Sequence, residues 1–251
     1  MNRGPSAVRT SGELREANRR FYDALWAGAR LVEPERFNTW PLLQPLVAPS
    51  QRRLEVGAGL RPRLPLAGTH FVDISAPALG RLAGRGATVV LAPVTALPFP
   101  DAAFDLVCAL DIVEHVGDDE RALAELARVA APGAALLLSA PLHPSRWTAF
   151  DDLVGHHCRY EPDELVAKLA RHGLAVERSA AYGMQPRSSR LVDFGMWWLT
   201  HRREQALWWY NRVFMPLAVR FEKPLAVAPG MIPTEEVDEI LLVCRRESVP
   251  G

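Results

Sequence analysis

The chain has 251 residues, of which 49% are apolar and 23% charged, and its formal net charge is +0 at pH 7. This length suits one α/β domain with a sizeable core, and the composition is typical of globular proteins. The balanced charge excludes bulk attraction to nucleic acid or acidic membranes, although a local basic patch stays open.

Cysteine usage and the apolar runs of the chain indicate its cellular compartment. Cys108, Cys158 and Cys244 form neither a disulfide framework nor a CxxC metal site, which favours a reducing environment. Residues 1–20 lack the apolar stretch of a secretory signal, and no apolar run approaches the roughly 18 residues of a spanning helix. We therefore expect a cytoplasmic protein, with attachment to the membrane surface as the alternative.

The N-terminal segment is predicted to be helical after a disordered start over residues 1–11. Ser11 is a candidate cap for a helix that runs to about residue 29, because Phe21, Leu25 and Trp26 would share one side of it. A second helix is predicted over residues 41–47, with Thr39 as its cap.

Short strand-like runs then alternate with helix-like segments. Such alternation predicts a parallel sheet with helices on both of its faces. The predicted strands are 54–56, 70–74, 88–91, 106–110, 134–140, 174–179 and 239–245. The clearest predicted helices are 118–130, which Pro132 and Gly133 would stop, 162–172, and an aromatic-rich stretch over about 190–221.

The first predicted strand ends in a glycine turn, Gly57-Ala58-Gly59. Ligands bind at the carboxyl ends of strands in open parallel sheets, and glycines there let the backbone approach a ligand closely. Asp73 ends the second strand, where a carboxylate can accept hydrogen bonds from both hydroxyls of a ribose. A cap on the following helix is the alternative role for Asp73.

Five segments in this order resemble the class I S-adenosylmethionine-dependent methyltransferases of the small bacterial type. The segments are LEVGAG (54–59), VDIS (72–75), LPFPDAAFDLV (97–107), DIVEHV (111–116) and ELARVAAPGAALLLSAP (125–141). The resemblance implies an α/β fold with a Rossmann-like seven-stranded sheet whose last strand is antiparallel. It also implies one domain, divided into an N-terminal helical segment (1–48), a cofactor-binding core (49–184), a helical cap insert (185–235) and the final strand (236–247).

The same resemblance implies S-adenosyl-L-methionine as cofactor and assigns residues to it. Glu55, Gly57 and Gly59 match the loop that faces the methionine and ribose of the cofactor. Asp73 matches the ribose-binding acid, and Ile74 the residue beside adenine. The segment near the methionine end is matched by Ala109, Asp111 and His115.

Two departures from the family pattern concern cofactor contacts. The loop usually carries a third glycine, which Leu60-Arg61-Pro62 replaces here. The aspartate that usually reads the adenine amino group is Pro93 here, so the backbone of Val94 or Thr95 is the remaining candidate for that contact.

Methyl transfer depends mainly on positioning, but an acceptor with a high pKa also needs a base. The loop after the fifth strand carries His156, His157 and Tyr160, and we predict that one of the two histidines removes the acceptor proton. Tyr160 is included as a catalytic candidate, although it could simply anchor the loop. His143 is a further candidate for the base.

A metal site is the alternative interpretation of the DIVEHV segment. Asp111, Glu114 and His115 could share one helical face, with His143 or His157 completing the site. We expect no metal ion, because most relatives with this pattern use none.

The aromatic-rich stretch is predicted to form a helical cap that shapes an acceptor pocket. Its apolar character points to a small hydrophobic or aromatic acceptor rather than to nucleic acid. An interfacial segment on a membrane is the alternative, which would make the protein a lipid or quinone methyltransferase. The departures in the loop leave open a non-catalytic scaffold with a weakened cofactor site, and oligomeric state is undetermined.

Overall fold

A computed structural model describes residues 11–183 and 189–248. The predicted disorder of residues 1–11 lies outside this range, apart from Ser11, which is the first residue of α1. The helices are α1 (Ser11–Ala27), α2 (Trp40–Val47), α3 (Ala76–Ala83), α4 (Asp119–Val129), α5 (Ala149–Val154), α6 (Pro162–Arg171), α7 (Ser189–His201), α8 (Arg203–Trp209) and α9 (Met215–Phe221). The strands are β1 (Arg53–Val56), β2 (Thr69–Asp73), β3 (Thr88–Leu91), β4 (Phe104–Ala109), β5 (Ala130–Pro141), β6 (Leu174–Ala181), β7 (Ala228–Pro229) and β8 (Glu239–Arg246).

The strands form one sheet in the order β3-β2-β1-β4-β5-β8-β6-β7. Strands β1 to β5 pair in parallel, and β8 runs antiparallel to both β5 and β6. The predicted Rossmann-like sheet with an antiparallel last strand is therefore confirmed. It has eight strands rather than seven, because the two-residue β7 adds to the edge of β6.

The chain reverses its direction of travel across the sheet between β1 and β4. It moves outward from β1 through β2 to β3, and then returns to β4 on the other side of β1. This topological switch point lies at the carboxyl ends of β1 and β4, where open α/β sheets bind their ligands. The start of β8 reaches the same edge, since Glu239 pairs with Pro141 at the end of β5.

The helix α4 ends within one residue of its predicted end at 130, but the predicted stop signal is not what ends it. Pro132 and Gly133 do not stop this helix, because it ends at Val129 and β5 begins at once with Ala130. The pairing of β5 with β4 shifts register in this part, and Gly133 adopts a φ of +78° within the strand. An irregular strand start absorbs the glycine, which tolerates positive φ.

Thr39 does not cap α2 with its side chain. Its backbone is already helical, with φ −74° and ψ −19°, whereas a capping residue is usually extended. The hydroxyl is buried without a hydrogen-bond partner among the described residues. The helix is held instead by the Thr39 carbonyl, which accepts from the backbone N–H groups of Leu42 and Leu43.

The predicted helical stretch before the last strand is broken into three helices. Arg202 leaves helical geometry between α7 and α8, and a π-helical turn, Tyr210–Phe214, connects α8 to α9. Pro216 lies in the first turn of α9, where its missing N–H costs little. None of the helices within 11–183 and 189–248 combines the length and apolar character needed to cross a bilayer.

Candidate functional site

The glycine turn after β1 is enclosed by two side chains. Gly57 and Gly59 have φ values of +74° and +53°, which disfavour other residues. A Cβ added to Gly59 would lie 2.2 Å from the Trp26 ring, and one added to Gly57 would lie 1.9 Å from Cδ1 of Ile112. Both glycines are therefore required by conformation and by space.

Asp73 lies beside this turn, at the end of β2. Its Oδ2 accepts a hydrogen bond from the Gly59 N–H at 3.1 Å, and its Oδ1 accepts from the Ser75 N–H at 2.8 Å. Burial raises the pKa of Asp73, against the effect of these backbone donors. Each oxygen retains a lone pair for a ribose hydroxyl, and Ile74 next to it is 48% exposed, as a residue beside adenine would be in the free protein.

Glu55 is directed toward the exit of the loop. Its carboxylate accepts from the backbone N–H of Arg63 at 2.8 Å and of Leu64 at 2.8 Å. Burial raises the pKa of Glu55 to about 7. The Glu55 side chain therefore holds the backbone of residues 63 and 64 next to β1 through these two hydrogen bonds.

The residues that replace the third glycine leave the sheet edge and join the protein interior. Leu60 is buried, and its carbonyl accepts from the Val32 N–H at 3.2 Å. The guanidinium of Arg61 lies 5.2 Å from the Trp26 ring and 5.0 Å from the Tyr210 ring. This segment therefore links the turn to α1 and to the helices before β8.

Two of the residues expected near the cofactor, Val94 and Ala109, belong to the hydrophobic core. Val94 is 7% exposed, and Ala109, at the end of β4, is fully buried. The carbonyl of Thr95 accepts from Nε of Arg121 at 3.2 Å. Any contact of Val94 or Ala109 with a ligand would therefore involve the backbone.

Asp111 adopts an unusual backbone conformation just after β4. Its φ is +56°, which is uncommon for a residue other than glycine. Its N–H donates to Oγ of Ser139 at 2.8 Å, and the Ser139 hydroxyl donates in turn to Oδ1 of Asp111. Strain of this kind persists where the surroundings fix it and is frequent at functional sites.

Two further carboxyl groups lie near Asp111. Glu114 is 1% exposed and its Oε2 is buried without a hydrogen-bond partner among the described residues, as is Oε1 of Glu239. Burial, and then the proximity of Asp111, raise the pKa of both groups well above the ordinary range. Three acid side chains therefore lie together at this edge of the sheet, and two of them hold their protons more tightly than free carboxyl groups do.

His115 is held from two sides by α1. Its Nδ1 lies 2.7 Å from Nδ2 of Asn18, and its Nε2 lies 3.4 Å from the Tyr22 hydroxyl. Burial, followed by the nearby His156, lowers the pKa of His115 well below its ordinary value. The ring is therefore neutral at pH 7 in this environment.

His156 is fixed by a buried carboxylate. Its Nδ1 lies 2.8 Å from Oδ1 of Asp151, which also accepts from Nε of Arg159 at 2.9 Å. Burial opposes the charge of Asp151, but hydrogen bonds from His156, Arg159 and Thr148 hold its pKa well below the usual range. The centroid of the His156 ring lies 4.6 Å from that of His115.

His157 and Tyr160 are placed differently from His156. The His157 N–H donates to the Glu114 carbonyl at 2.6 Å, and the residue lines a cavity of about 300 Å³ next to α6. Tyr160 is 2% exposed, donates its hydroxyl proton to Asp119 at 2.9 Å, and has a pKa raised by burial. The structure therefore brings His156, but not Tyr160, next to His115.

The structure groups a different set of possible metal ligands from the set that the sequence suggests, because His156 takes the place of Asp111. Ligand atoms of Glu114, His115 and His156 all lie within 4.8 Å of one another. Both ring nitrogens of His115 already have partners, so an ion would have to displace Asn18 or Tyr22. His143 is engaged elsewhere, since its Nε2 lies 2.8 Å from the Thr234 carbonyl.

Several residues of this site were not identified from the sequence. Asn18 and Tyr22 lie on α1, where the sequence pattern indicates only an apolar face. Asp151 follows Thr148 at the spacing of a capping box, and the structure contains that box, so the spacing alone signals a structural role. The turn that ends α5 places Asp151 beside His156, since the His156 N–H donates to the Asp151 carbonyl at 2.9 Å.

Comparison with known proteins identifies the domain. Residues 54–138 match a family model described as a methyltransferase domain. The chain is 43% identical over 47 residues to ajmaline N-methyltransferase from Rauvolfia serpentina, a segment covering 19% of this chain and 16% of that protein. The aligned segment thus spans about one sixth of that curated relative.

Two solved structures extend the likeness to most of the chain. One is a methyltransferase from Thermotoga maritima, described as a possible histamine N-methyltransferase, with a TM-score of 0.60 and 15% identity over 93% of this chain and 100% of that chain. The other is phosphoethanolamine N-methyltransferase 2 from Haemonchus contortus, with a TM-score of 0.60 and 14% identity over 96% of this chain and 61% of that chain. At these identities the likeness establishes the fold. Residues 54–138 thus match the model of a methyltransferase domain, and the fold of the chain resembles that of solved methyltransferase structures.

Proposed function

We propose that this chain binds S-adenosylmethionine and transfers its methyl group to a small hydrophobic or aromatic acceptor. The contact between Gly59 and Asp73 carries the proposal. It joins the ends of two neighbouring parallel strands at the switch point, with a carboxylate available for a ribose and glycine backbone beside it.

The residues present fit the parts of this cofactor. Asp73 would accept hydrogen bonds from the ribose hydroxyls, and exposed Ile74 would cover the adenine. The carboxyl groups of Asp111, Glu114 and Glu239 lie together at the same edge of the sheet, and a cation bound beside them would favour their charged forms. When bound, the cofactor supplies a methyl group on a positively charged sulfur, which makes that methyl electrophilic.

His156 is the group that best fits a base for the acceptor proton. Nδ1 of His156 donates a hydrogen bond to Oδ1 of Asp151. This contact orients the imidazole ring and leaves its Nε2 to accept a proton. The neutral His115 lies next to His156, and the Tyr22 hydroxyl lies 3.4 Å from Nε2 of His115, so both can orient the acceptor. Asp151 acts here through His156 and is a positioning residue.

The acceptor class rests on the aromatic side chains that α1 brings to this edge. Tyr22 and Trp26 stack with ring centroids 6.0 Å apart; Trp26 packs against Gly59, and Tyr22 lies next to His115. Aromatic side chains in a ligand site favour flat or apolar ligands.

Label transfer from methyl-labelled S-adenosylmethionine tests this function. The wild-type protein would be incubated with phenolic, aromatic amine and lipidic acceptors, with a heat-denatured sample as the blank. We expect label in at least one of these aromatic or apolar acceptors, with a mass increase of one methyl-for-hydrogen exchange. Cofactor binding without transfer to any of them would contradict the proposed function.

A further inference from the structure

A group of exposed apolar side chains covers the outside of the helices that precede β8. Of the eleven exposed large hydrophobic residues in the described chain, seven lie within residues 194–221. We call them the aromatic face: Phe194, Trp197, Trp208, Trp209, Phe214, Leu217 and Phe221, each 42–73% exposed. A concentration of this kind marks an interaction surface rather than scattered surface hydrophobes.

The aromatic face spans more than one helix. Phe194 and Trp197 of α7 stack with ring centroids 6.2 Å apart, and Trp198 lies 5.8 Å from Phe194. Trp198 also lies 6.4 Å from Phe214 in the π-helical turn. Rings from α7 and from the turn before α9 therefore adjoin.

The charge around the aromatic face differs from that of the whole chain. Residues 194–223 contain five basic and two acidic side chains, an excess of three positive charges, whereas the whole chain has a net charge of +0. Among the exposed side chains of this segment, the acidic one is Glu204, and the basic ones are Arg202, Arg212, Arg220 and Lys223. The surface is thus both apolar and positively charged.

The inner side of these helices is fixed to the rest of the domain. Nδ2 of Asn211 donates to the Leu25 carbonyl of α1 at 2.8 Å, and Leu207 packs in the same core cluster as Trp26. Arg61, from the segment after the glycine turn, donates to the Tyr210 hydroxyl at 3.2 Å. The aromatic face is therefore presented on helices that also cover the glycine turn.

We propose that the aromatic face docks this protein on an anionic phospholipid surface. Tryptophan prefers the headgroup level of a bilayer, and arginine pairs with lipid phosphate. Juxtaposed basic residues each add attraction to an anionic leaflet. The excess of positive charge favours an anionic lipid surface over an uncharged apolar partner. This inference does not depend on which acceptor is methylated.

Vesicle flotation tests the proposal with the full chain. Wild-type protein would be mixed with vesicles of phosphatidylcholine alone or of phosphatidylcholine with phosphatidylglycerol. We expect it to float with the anionic vesicles and to be released by high salt, because the basic side chains contribute. The double variant Trp197→Ser, Trp208→Ser should reduce the vesicle-bound fraction at least about tenfold.

The matched control changes exposed aromatics elsewhere on the surface. Trp147 and Phe150 are 39% and 42% exposed and lie before and within α5, so Trp147→Ser, Phe150→Ser should keep the binding. Circular dichroism and cofactor titration would check that both double variants fold. The proposal is overturned if the wild type stays with the lipid-free fraction, if both variants bind equally, or if the first variant instead abolishes a dimer seen by light scattering without lipid.

Discussion

The backbone N–H of Gly59 donates to Oδ2 of Asp73 at 3.1 Å and so connects the glycine turn after β1 with the end of β2. The second oxygen of the same carboxylate accepts from the Ser75 N–H at 2.8 Å, at the start of α3. One side chain thus connects β1, β2 and the start of α3 at the edge where open α/β sheets bind ligands. Ser75, not Asp73, is the N-cap of α3, and Asp73 faces the proposed ribose position.

Replacing Asp73 is predicted to weaken cofactor binding. Asp73→Ala removes the acceptor for the ribose hydroxyls, and hydrogen bonds to a charged group contribute about 1.5–3 kcal/mol, roughly a 10- to 150-fold change in Kd. Calorimetric titration with S-adenosylhomocysteine measures the loss. Asp105→Ala is the control, because Asp105 pairs with exposed Arg52 at the opposite end of β4. Equal affinity of a folded Asp73→Ala variant would reduce Asp73 to a structural role.

The packing of Trp26 on Gly59 is predicted to be sensitive to a single methyl group. Gly59→Ala places a Cβ 2.2 Å from the Trp26 ring, and overpacking of this kind costs about 1–3 kcal/mol. Gly86→Ala is the matched control, since Gly86 also has a positive φ of +86° but nothing within 4 Å of the added Cβ. Urea unfolding should show Gly59→Ala destabilised by more than Gly86→Ala. Equal losses would mean that only backbone strain matters at Gly59.

The sequence predicts the sheet better than the surroundings of the site. Gly57, Gly59 and Asp73 are at the expected strand ends because local turn and strand patterns position them. The contact of His115 with Tyr22 depends on how α1 packs against the segment after β4, which no local pattern contains. The contact of His156 with Asp151 is local, because the turn that ends α5 forms it, but the capping-box spacing of Asp151 indicates only a structural role.

The same limit applies where α4 passes into β5. The proline and glycine that signal a helix stop lie within β5, between Ala130, which pairs with β4, and Ala135, which pairs with β4 and β8. Strand pairing on both sides of residues 132 and 133 therefore outweighs the helix-stop signal that a proline and a glycine give in the sequence. Thr39 is a second case, because its own backbone is helical and its hydroxyl is buried.

The two adjacent histidines are predicted to differ in their effect on turnover. His156 is oriented by Asp151 next to His115, whereas His157 lines the cavity beside α6. His156→Ala should lower kcat about 100- to 10,000-fold, the contribution of a positioned base, and should leave cofactor affinity unchanged. His157→Ala serves as the control.

Cofactor affinity and unfolding measured on the same variants would distinguish a base from a merely structural residue, because loss of a base lowers kcat alone. Near-full turnover of both variants would mean that catalysis rests on positioning alone.

The buried carboxyl group of Glu55 is predicted to make stability depend on pH. Burial raises its pKa from the ordinary 4.5 to about 7, so the folded state binds more protons than the unfolded state between these values. Stability from this group is present below about pH 4.5 and is lost as the pH rises to about 7, by roughly 3 kcal/mol.

Denaturant unfolding of the wild type and of Glu55→Gln between pH 4.5 and 8 checks this effect. The difference between their free energies of unfolding should change across the range, because glutamine does not titrate. A constant difference would show that Glu55 titrates alike in both states.

Binding of S-adenosylmethionine to the purified protein tests the central claim most directly. Isothermal titration should give one site per chain for S-adenosylmethionine and for S-adenosylhomocysteine, with competition between the two and weaker binding by Asp73→Ala. A folded wild-type protein that binds neither compound, even when each is titrated to millimolar concentration, would contradict the account.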